Sequence, residues 1–405
     1  MTSSVYIAKN VYGGDGLGRL GDGRVVFVPG AWAGEQVRAE IVEEKRHFVR
    51  ARLVEVVEPS PERVEPGPSV PGMVYDGLSY KGECDAKEQQ LADFFERARI
   101  AVPSLTRATP PASPGAYRNK VVYHFAKQMG RWAIGYRVEP GHEIVDVESD
   151  PLAVAEINAK LPEIRHGVLT LLTTGPEAVR RDVERSGNVT VRWTRKTGVK
   201  WWVGAPPEGL VLKETTAGLD FEVPADGFYQ VNPFVGEQLV DAVCGAYAEG
   251  AGDAPDVLDL YCGVGVFGLA CMRRAAASGA AASLVGVESG RQAVEFARGN
   301  ALRQKAEKAR FFAERVGPNM RRMPLGPRTT VIVDPPRGGL EPGVARAVAL
   351  SKAPRVFYVS CDPATLVRDL RELTKAYDVE AVRWFDMFPR TARFETFVAL
   401  RRSAR

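Results

Sequence analysis

The stretch DLYCGVGVFGLA, residues 259–270, decides the fold. Gly263, Gly265 and Gly268 stand in G-x-G-x-x-G spacing. Glu288 lies twenty residues beyond Gly268, at the end of the next apolar run. A strand, a glycine turn, a helix and a distant acid form the nucleotide-binding unit of a doubly wound sheet. The glycines let backbone approach a ligand, and the acid accepts hydrogen bonds from ribose hydroxyls. Further strands are expected at 257–261, 284–288, 310–313, 329–334, 355–360, 379–385 and 394–400, with helical stretches between the first five. That alternation predicts an α/β domain of Rossmann-like type over residues 225–405. Ligands in such domains sit beyond the carboxyl ends of the strands, so the chemistry belongs after Tyr261, Glu288, Asp334 and Ser360.

Upstream the pattern differs. Residues 1–58 carry six early glycines and short runs at 25–28, 36–42 and 48–57, the second alternating Val37, Ala39 and Ile41 with polar neighbours. Many short strands in so few residues predict a small β-barrel. The proline-rich stretch 58–72 reads as a stiff linker. A mixed α+β domain is expected over 73–224. It opens with a helix at 86–98, its Leu91, Phe94, Phe95 and Ala98 on one face, and a second proline-rich stretch follows at 103–115. A hairpin is expected at 117–125 and 131–136, and a helix at 153–172. In NVTVRWTRKTGVKWWVG, residues 188–204, Val189, Val191 and Trp193 alternate with Thr190, Arg192 and Thr194. Two readings stand: a basic, aromatic surface for RNA, or a strand with a solvated basic face.

The chain has 405 residues, enough for two or three domains, with 45% hydrophobic and 26% charged residues. These values exclude a largely disordered or fibrous chain. The net charge of +4 permits a nucleic-acid partner without requiring one. No apolar run is long enough for a membrane helix, and MTSSVYIAKN has no apolar signal core. The expectation is a cytoplasmic protein with no membrane partner and no obligatory protein partner. The five cysteines show no CxxC spacing. The four histidines (His47, His124, His142, His166) form no HExxH. Neither a disulfide framework nor a metal site is expected.

Asp259 stands inside the strand before the glycine turn. A carboxylate there is expected to face the ammonium group of S-adenosylmethionine, and it would repel a pyrophosphate. An NAD site and a ligand-free turn are the alternatives. In VIVDPPRGGL, residues 331–340, two prolines stiffen the loop after Asp334, which can then read a planar base or simply cap a helix. In YVSCDPATLVRDL, Asp362 is a natural N-cap and Pro363 a natural first helical residue. Cys361 is thereby expected at the positive end of a helix, where its thiolate is favoured. Cys262, inside the glycine loop, reads as packing. Glu395, within the last strand, is expected to be partly buried with a raised pKa, or else paired with Arg390 or Arg393.

Together these parts point to C5 methylation of a pyrimidine. Thiolate addition at C6 makes C5 nucleophilic, C5 takes a methyl group, and a base then removes the C5 proton. Cys361 is the candidate nucleophile, Glu395 the base and Asp334 the group bonding the pyrimidine edge. Phe228 in GFYQVNP is the candidate platform for a flipped base, and Gln230 a candidate cofactor contact.

With FYQVN, DLYCGVGVFGL, VDPPRGGL, YVSCDPATLVRDL and DMFPRTARFET in this order, residues 228–400 resemble the S-adenosylmethionine-dependent RNA uracil-5-methyltransferases of the TrmA/RumA type. The N-terminal module resembles a TRAM domain, an RNA-binding barrel of OB-like form. The resemblance implies Cys361 as nucleophile and Glu395 as base. It implies cofactor contacts from Gln230, Tyr261, Glu288 and Asp334, with Gly263 and Gly265 in the cofactor loop. It also implies a structured RNA substrate, ribosomal rather than transfer RNA. Three departures stand out. Asp150 occupies the place of a cluster-binding cysteine and Cys84 is alone, so no iron–sulfur cluster is expected. Val266 and Arg315 occupy positions of expected cofactor contacts. Arg390 and Arg393 replace histidines. A tRNA uridine methyltransferase, an NAD-dependent dehydrogenase and a non-catalytic RNA-binding protein are the competing readings.

Overall fold

The structure, a computed structural model, describes residues 2–109, 111, 113–138, 141, 143–250 and 254–404. His142 lies outside them. The chain forms two compact units. One holds the chain up to Phe94 and takes back residues 388–394; the other holds residues 95–387 and 395 onward.

In the first unit the strands Thr2–Asn10, Gly16–Arg19, Val25–Val28, Gln36–Glu44 and Phe48–Glu58 close into a barrel. Period-two alternation turns Val5, Ile7, Val26, Val28, Val37, Ala39, Val49 and Ala51 inward. Closure leaves no free sheet edge. The proline-rich stretch does not end this unit. Glu35, fully buried, accepts bonds from the Trp32 backbone N–H (2.8 Å), from Arg63 Nε (2.5 Å) and from Arg63 Nη2 (2.8 Å). Trp32 packs with Tyr75 and Leu78. The unit therefore runs past residues 58 and 73 into the helix Tyr80–Ala98, which starts six residues before the expected 86. Within that helix Lys87 and Glu83, both fully buried, pair at 2.8 Å. The returning segment is held here too: Arg390 N–H donates to Glu83 Oε1 (2.7 Å), and Val74 N–H donates to the Arg390 carbonyl (2.9 Å).

The second unit begins with a five-stranded antiparallel sheet of order Gly198–Val203, Asn188–Thr194, Lys120–Gln128, Arg131–Arg137, Ile144–Asp146. The helix Ala155–Thr173 lays Ile157, Leu161, Ile164, Val168 and Leu172 into the core. Within residues 188–204 the first strand departs from both expected readings, while Arg195, Lys196 and Lys200 beyond it are exposed. Asn188–Thr194 is paired on both sides, and Arg192 is only 1% exposed, so this strand presents no basic face. Asp150 is also buried, accepting bonds from the hydroxyls of Tyr123 (3.0 Å) and Tyr136 (2.7 Å).

Next come the paired strands Val211–Thr216 and Leu219–Pro224, then the main sheet. Its eight strands run in the order Ala309–Ala313, Leu284–Glu288, Asp256–Leu260, Thr329–Val333, Arg355–Ser360, Glu395–Arg402, Tyr377–Phe385, Leu105–Arg107. The first five are parallel; Glu395–Arg402 runs antiparallel to its neighbours. Strand order reverses between Asp256–Leu260 and Thr329–Val333. That switch point opens a crevice flanked by Tyr261 and Asp334. The edge strand Leu105–Arg107 comes from the second proline-rich stretch and shows no alternation long enough to announce it.

Breaking a buried ion pair from one side leaves an uncompensated charge and costs about 3–5 kcal/mol. Glu35→Ala strands Arg63 and removes the acceptor for Trp32. Urea unfolding of this variant is expected to show a loss of that order, against less than about 1 kcal/mol for Glu55→Ala in an exposed pair with Arg38.

Candidate active site

The glycine turn is built by backbone needs. Tyr261 has φ +64° and Gly265, at the N-cap of the helix Val266–Ala277, has φ +88°. Gly268 serves close approach: a Cβ there would meet Leu284 Cδ1 at 2.6 Å and Asp259 Oδ2 at 2.9 Å. Its N–H donates to Asp259 Oδ2 (2.9 Å). Asp259 thus differs from expectation. It is fully buried, stitches strand to helix and is not among the residues lining the cavity below. Burial pushes its carboxyl up to about 7. Glu288 anchors the neighbouring loops, accepting from the N–H groups of Gly263 (3.3 Å) and Gly290 (2.8 Å).

A cavity opens at the switch point. Phe228, Gln230, Tyr261, Gly263, Val266 and Asp334 line it, joined by Thr216, Tyr229, Val264 and Phe267. Cys262 is buried, as its packing role requires, and also touches this wall. Gly265 and Glu288, expected in the cofactor site, are not among the residues that line it. Arg315 turns aside to Glu341 (2.9 Å). Phe228 is 70% exposed, an open aromatic face at the cavity mouth. The wall suits S-adenosylmethionine: aromatic and aliphatic surfaces for adenine, an amide at Gln230, and a half-buried carboxylate at Asp334 for a cation. Burial, with Glu288 adding repulsion, pushes Asp334 up to about 7, so a positive ligand would relieve it.

Strand register makes the reactive end. Ser360 pairs with Thr396 across the antiparallel strands, and one step further brings Cys361 level with Glu395. The two groups act on each other electrostatically, and Asp334 acts on both. Asp362 caps its helix as expected, accepting from the N–H groups of Ala364 (3.1 Å) and Thr365 (3.0 Å), with Pro363 in the first turn. The expected thiolate is not favoured, however. Burial first, then Glu395 and Asp334, push the Cys361 thiol up to about 12; Arg337 opposes them. The Asp362 carboxylate, which occupies the first helix amides, adds a smaller push in the same direction. Glu395 is 5% exposed, and its Oε2 has no hydrogen-bond partner among the described residues. Burial, with Asp334, pushes its carboxyl well above the usual range. Arg390 and Arg393 carry other bonds, to the Leu78 carbonyl (2.6 Å) and the Tyr12 hydroxyl (2.7 Å).

Sequence reasoning missed several supports. Arg337 is the cation that favours ionisation of both Cys361 and Glu395, and it sits unassigned inside the quoted DPPRGG. Asn232, the last residue of FYQVN, is fully buried and ties that motif to the Met387 carbonyl (3.3 Å). Asn119 donates to the Gln230 carbonyl (3.1 Å). Only long-range contact reveals these links.

The comparisons agree with this geometry. Residues 210–403 match the family model described as tRNA (Uracil-5-)-methyltransferase, and residues 5–54 match the TRAM domain. An uncharacterized RNA methyltransferase of Thermosynechococcus vestitus is 30% identical, covering 96% of this chain and 95% of its own. A 23S rRNA (uracil(1939)-C(5))-methyltransferase RlmD of Pectobacterium atrosepticum is 29% identical over 95% of this chain and 90% of its own. The crystal structure of the Pyrococcus abyssi tRNA (uracil-54, C5)-methyltransferase with S-adenosyl-L-homocysteine shares the fold, with TM-score 0.73, 22% identity and coverage of 98% and 100%. The fold is that of S-adenosylmethionine-dependent methyltransferases, and the N-terminal barrel matches a TRAM domain. The chain belongs to the RNA (uracil-5-)-methyltransferase family.

Cys361 is the one cysteine that is not buried, so alkylation reads its thiol selectively. A thiol near 12 is protonated at neutral pH. Iodoacetamide labelling is expected to be slow at pH 7 and to rise about tenfold per pH unit to pH 10. Arg337→Met removes the favourable cation and slows labelling further at each pH. A rate that levels off by pH 8 would contradict the electrostatics.

Proposed function

We propose that this chain methylates C5 of a uridine in 23S ribosomal RNA, with Cys361 as nucleophile and Glu395 as base. The observation that carries this reading is the level placement of Cys361 and Glu395, with Asp334 joining them to the cavity. Full-length similarity to RlmD proteins and the TRAM match support the ribosomal target. The fold shared with a tRNA methyltransferase keeps a tRNA uridine as the second reading.

In this mechanism Phe228 supports the flipped uracil, and Gln230, Tyr261 and Gly263 hold the donor. Asp334 bonds the pyrimidine edge. The Cys361 thiol loses its proton to water, Sγ bonds to C6, and the C5–C6 π pair moves onto C5 and O4 as an enolate. S-adenosylmethionine, when bound, supplies an electrophilic sulfonium methyl group and a positive charge beside the carboxylates. C5 takes that methyl as its bond to the sulfonium sulfur breaks, the electron pair staying on that sulfur, and Glu395 then removes the C5 proton. The electron pair left behind re-forms the double bond and expels the Cys361 thiolate, which regains a proton from water while Glu395 releases its own to water, restoring the enzyme. Arg337 favours the ionised forms of Cys361 and Glu395 throughout.

Cys361→Ala is expected to abolish methylation and the denaturation-stable adduct with 5-fluorouridine RNA, while the Kd for S-adenosylmethionine stays within about twofold. Glu395→Gln is expected to slow turnover about 100-fold or more and to accumulate adduct on ordinary RNA. Unchanged turnover in either variant would sink the mechanism. Mass-spectrometric mapping of 5-methyluridine in RNA from cells lacking the gene decides the target. Loss from 23S rRNA supports the proposal, and loss from tRNA alone overturns it.

A further inference from the structure

We infer that Arg192, from the central antiparallel sheet, is a positioning residue that fixes the cavity wall bearing Phe228 and Gln230. Its side chain is 1% exposed. From one nitrogen, Nη1, it donates to three carbonyls: Pro224 (3.2 Å), Ala225 (2.8 Å) and Gly227 (3.0 Å). Pro224 ends the strand Leu219–Pro224, and Ala225 and Gly227 lie in the turn between it and Phe228. A buried guanidinium is costly unless its donors are met; this turn meets Nη1, while Nε is buried without a hydrogen-bond partner among the described residues. Arginine suits this buried place better than lysine, because a compact ammonium holds its water more strongly than a guanidinium does. Glu214, 2% exposed on the strand Val211–Thr216, supplies opposing charge to Arg192.

The need for such a clamp follows from Phe228 itself. A ring that is 70% exposed has little packing to hold it, so its position is set by its backbone. Arg192 secures the near side of the segment, and Asn119, donating to the Gln230 carbonyl at 3.1 Å, secures the far side. The first of these residues lies on the strand Asn188–Thr194 and the second just before its neighbour Lys120–Gln128. The sheet that carries no reacting group thereby sets the aim of the wall that receives the base and the donor. This inference rests on Phe228 and Gln230 acting as proposed above.

The test uses the full chain. Arg192→Lys is expected to raise the Kd for S-adenosylmethionine, by calorimetry, about tenfold, and to slow adduct formation with 5-fluorouridine RNA about tenfold or more. Arg192→Gln, which buries no ammonium, carries the same expectation should the lysine variant fail to fold. Val191→Ala, a neighbouring fully buried position, is the control for simple destabilisation. It should lower Tm yet leave the Kd within about twofold. Combined with Phe228→Ala, Arg192→Lys should cost less in adduct formation than it does alone, because both act through one ring. An unchanged Kd and adduct rate in the folded arginine variants overturns the inference, as does an equal loss in Val191→Ala or full additivity with Phe228→Ala. A wild-type chain that fails to bind S-adenosylmethionine would instead overturn the functional reading.

Discussion

One strand runs the other way, and the reactive end of the site depends on it. Every parallel strand of the main sheet delivers its last residue to the carboxyl edge. Glu288, Tyr261, Asp334 and Cys361 all arrive in this way, at or just beyond strand ends. Glu395 arrives at the same edge as the first residue of Glu395–Arg402, because that strand is antiparallel to Arg355–Ser360. A parallel strand in its place would put its first residue at the opposite end of the sheet. The pairing of Ser360 with Thr396 then fixes how far along the edge the carboxyl sits. A slip of one residue would turn Glu395 to the other face, since side chains alternate along a strand.

This arrangement crowds negative charge. Asp334, Glu395 and the Cys361 thiol influence one another where water is scarce, and Arg337 opposes them. Crowded acids of this kind stay protonated until a cation arrives. The directions agree: Asp334, Glu395 and Cys361 all move up from their ordinary values. A donor bearing a sulfonium and an ammonium group suits such a site better than a pyrophosphate would. Charge thus separates the methyl donor from a dinucleotide, although the same glycine turn serves both. The sequence argument reached that choice through Asp259, yet Asp259 is sealed behind the turn. The discriminating carboxylate at the cavity is Asp334.

Local pattern made much of the molecule legible. The strands Leu284–Glu288 and Arg355–Ser360 fall where apolar runs placed them, and the Asp362 cap with Pro363 behaves as its residue types require. Phe228, Gln230, Tyr261, Gly263 and Asp334 lie on one cavity because ordered motifs fall at strand ends around the switch point. What stayed hidden depends on partners distant in sequence. The thiol of Cys361 looked activated because the helix end was visible and the opposing carboxylates were not. Arg192 looked solvated because alternation cannot show that both strand neighbours are paired and three carbonyls wait on one side. The proline-rich stretch looked like a boundary because the grip of Glu35 on Arg63 spans 28 positions.

Arg390 and Arg393, close to Glu395 in sequence, are a further case. From sequence they are cations within five residues of Glu395, close enough to lower its pKa. In the structure Arg390 adopts φ +66°, and its side chain donates to the carbonyls of Tyr75 and Leu78. Arg393 donates to the Tyr12 hydroxyl and lies over that ring. Their donors serve the segment's anchorage in the first unit, and neither contributes to the shift at Glu395. A histidine at either place would be shorter and neutral over most of the working pH range, and could not make the same bonds. In this chain both positions hold the segment that leads into Glu395. Tuning then falls to Arg337, from the proline loop on the opposite side of the switch point.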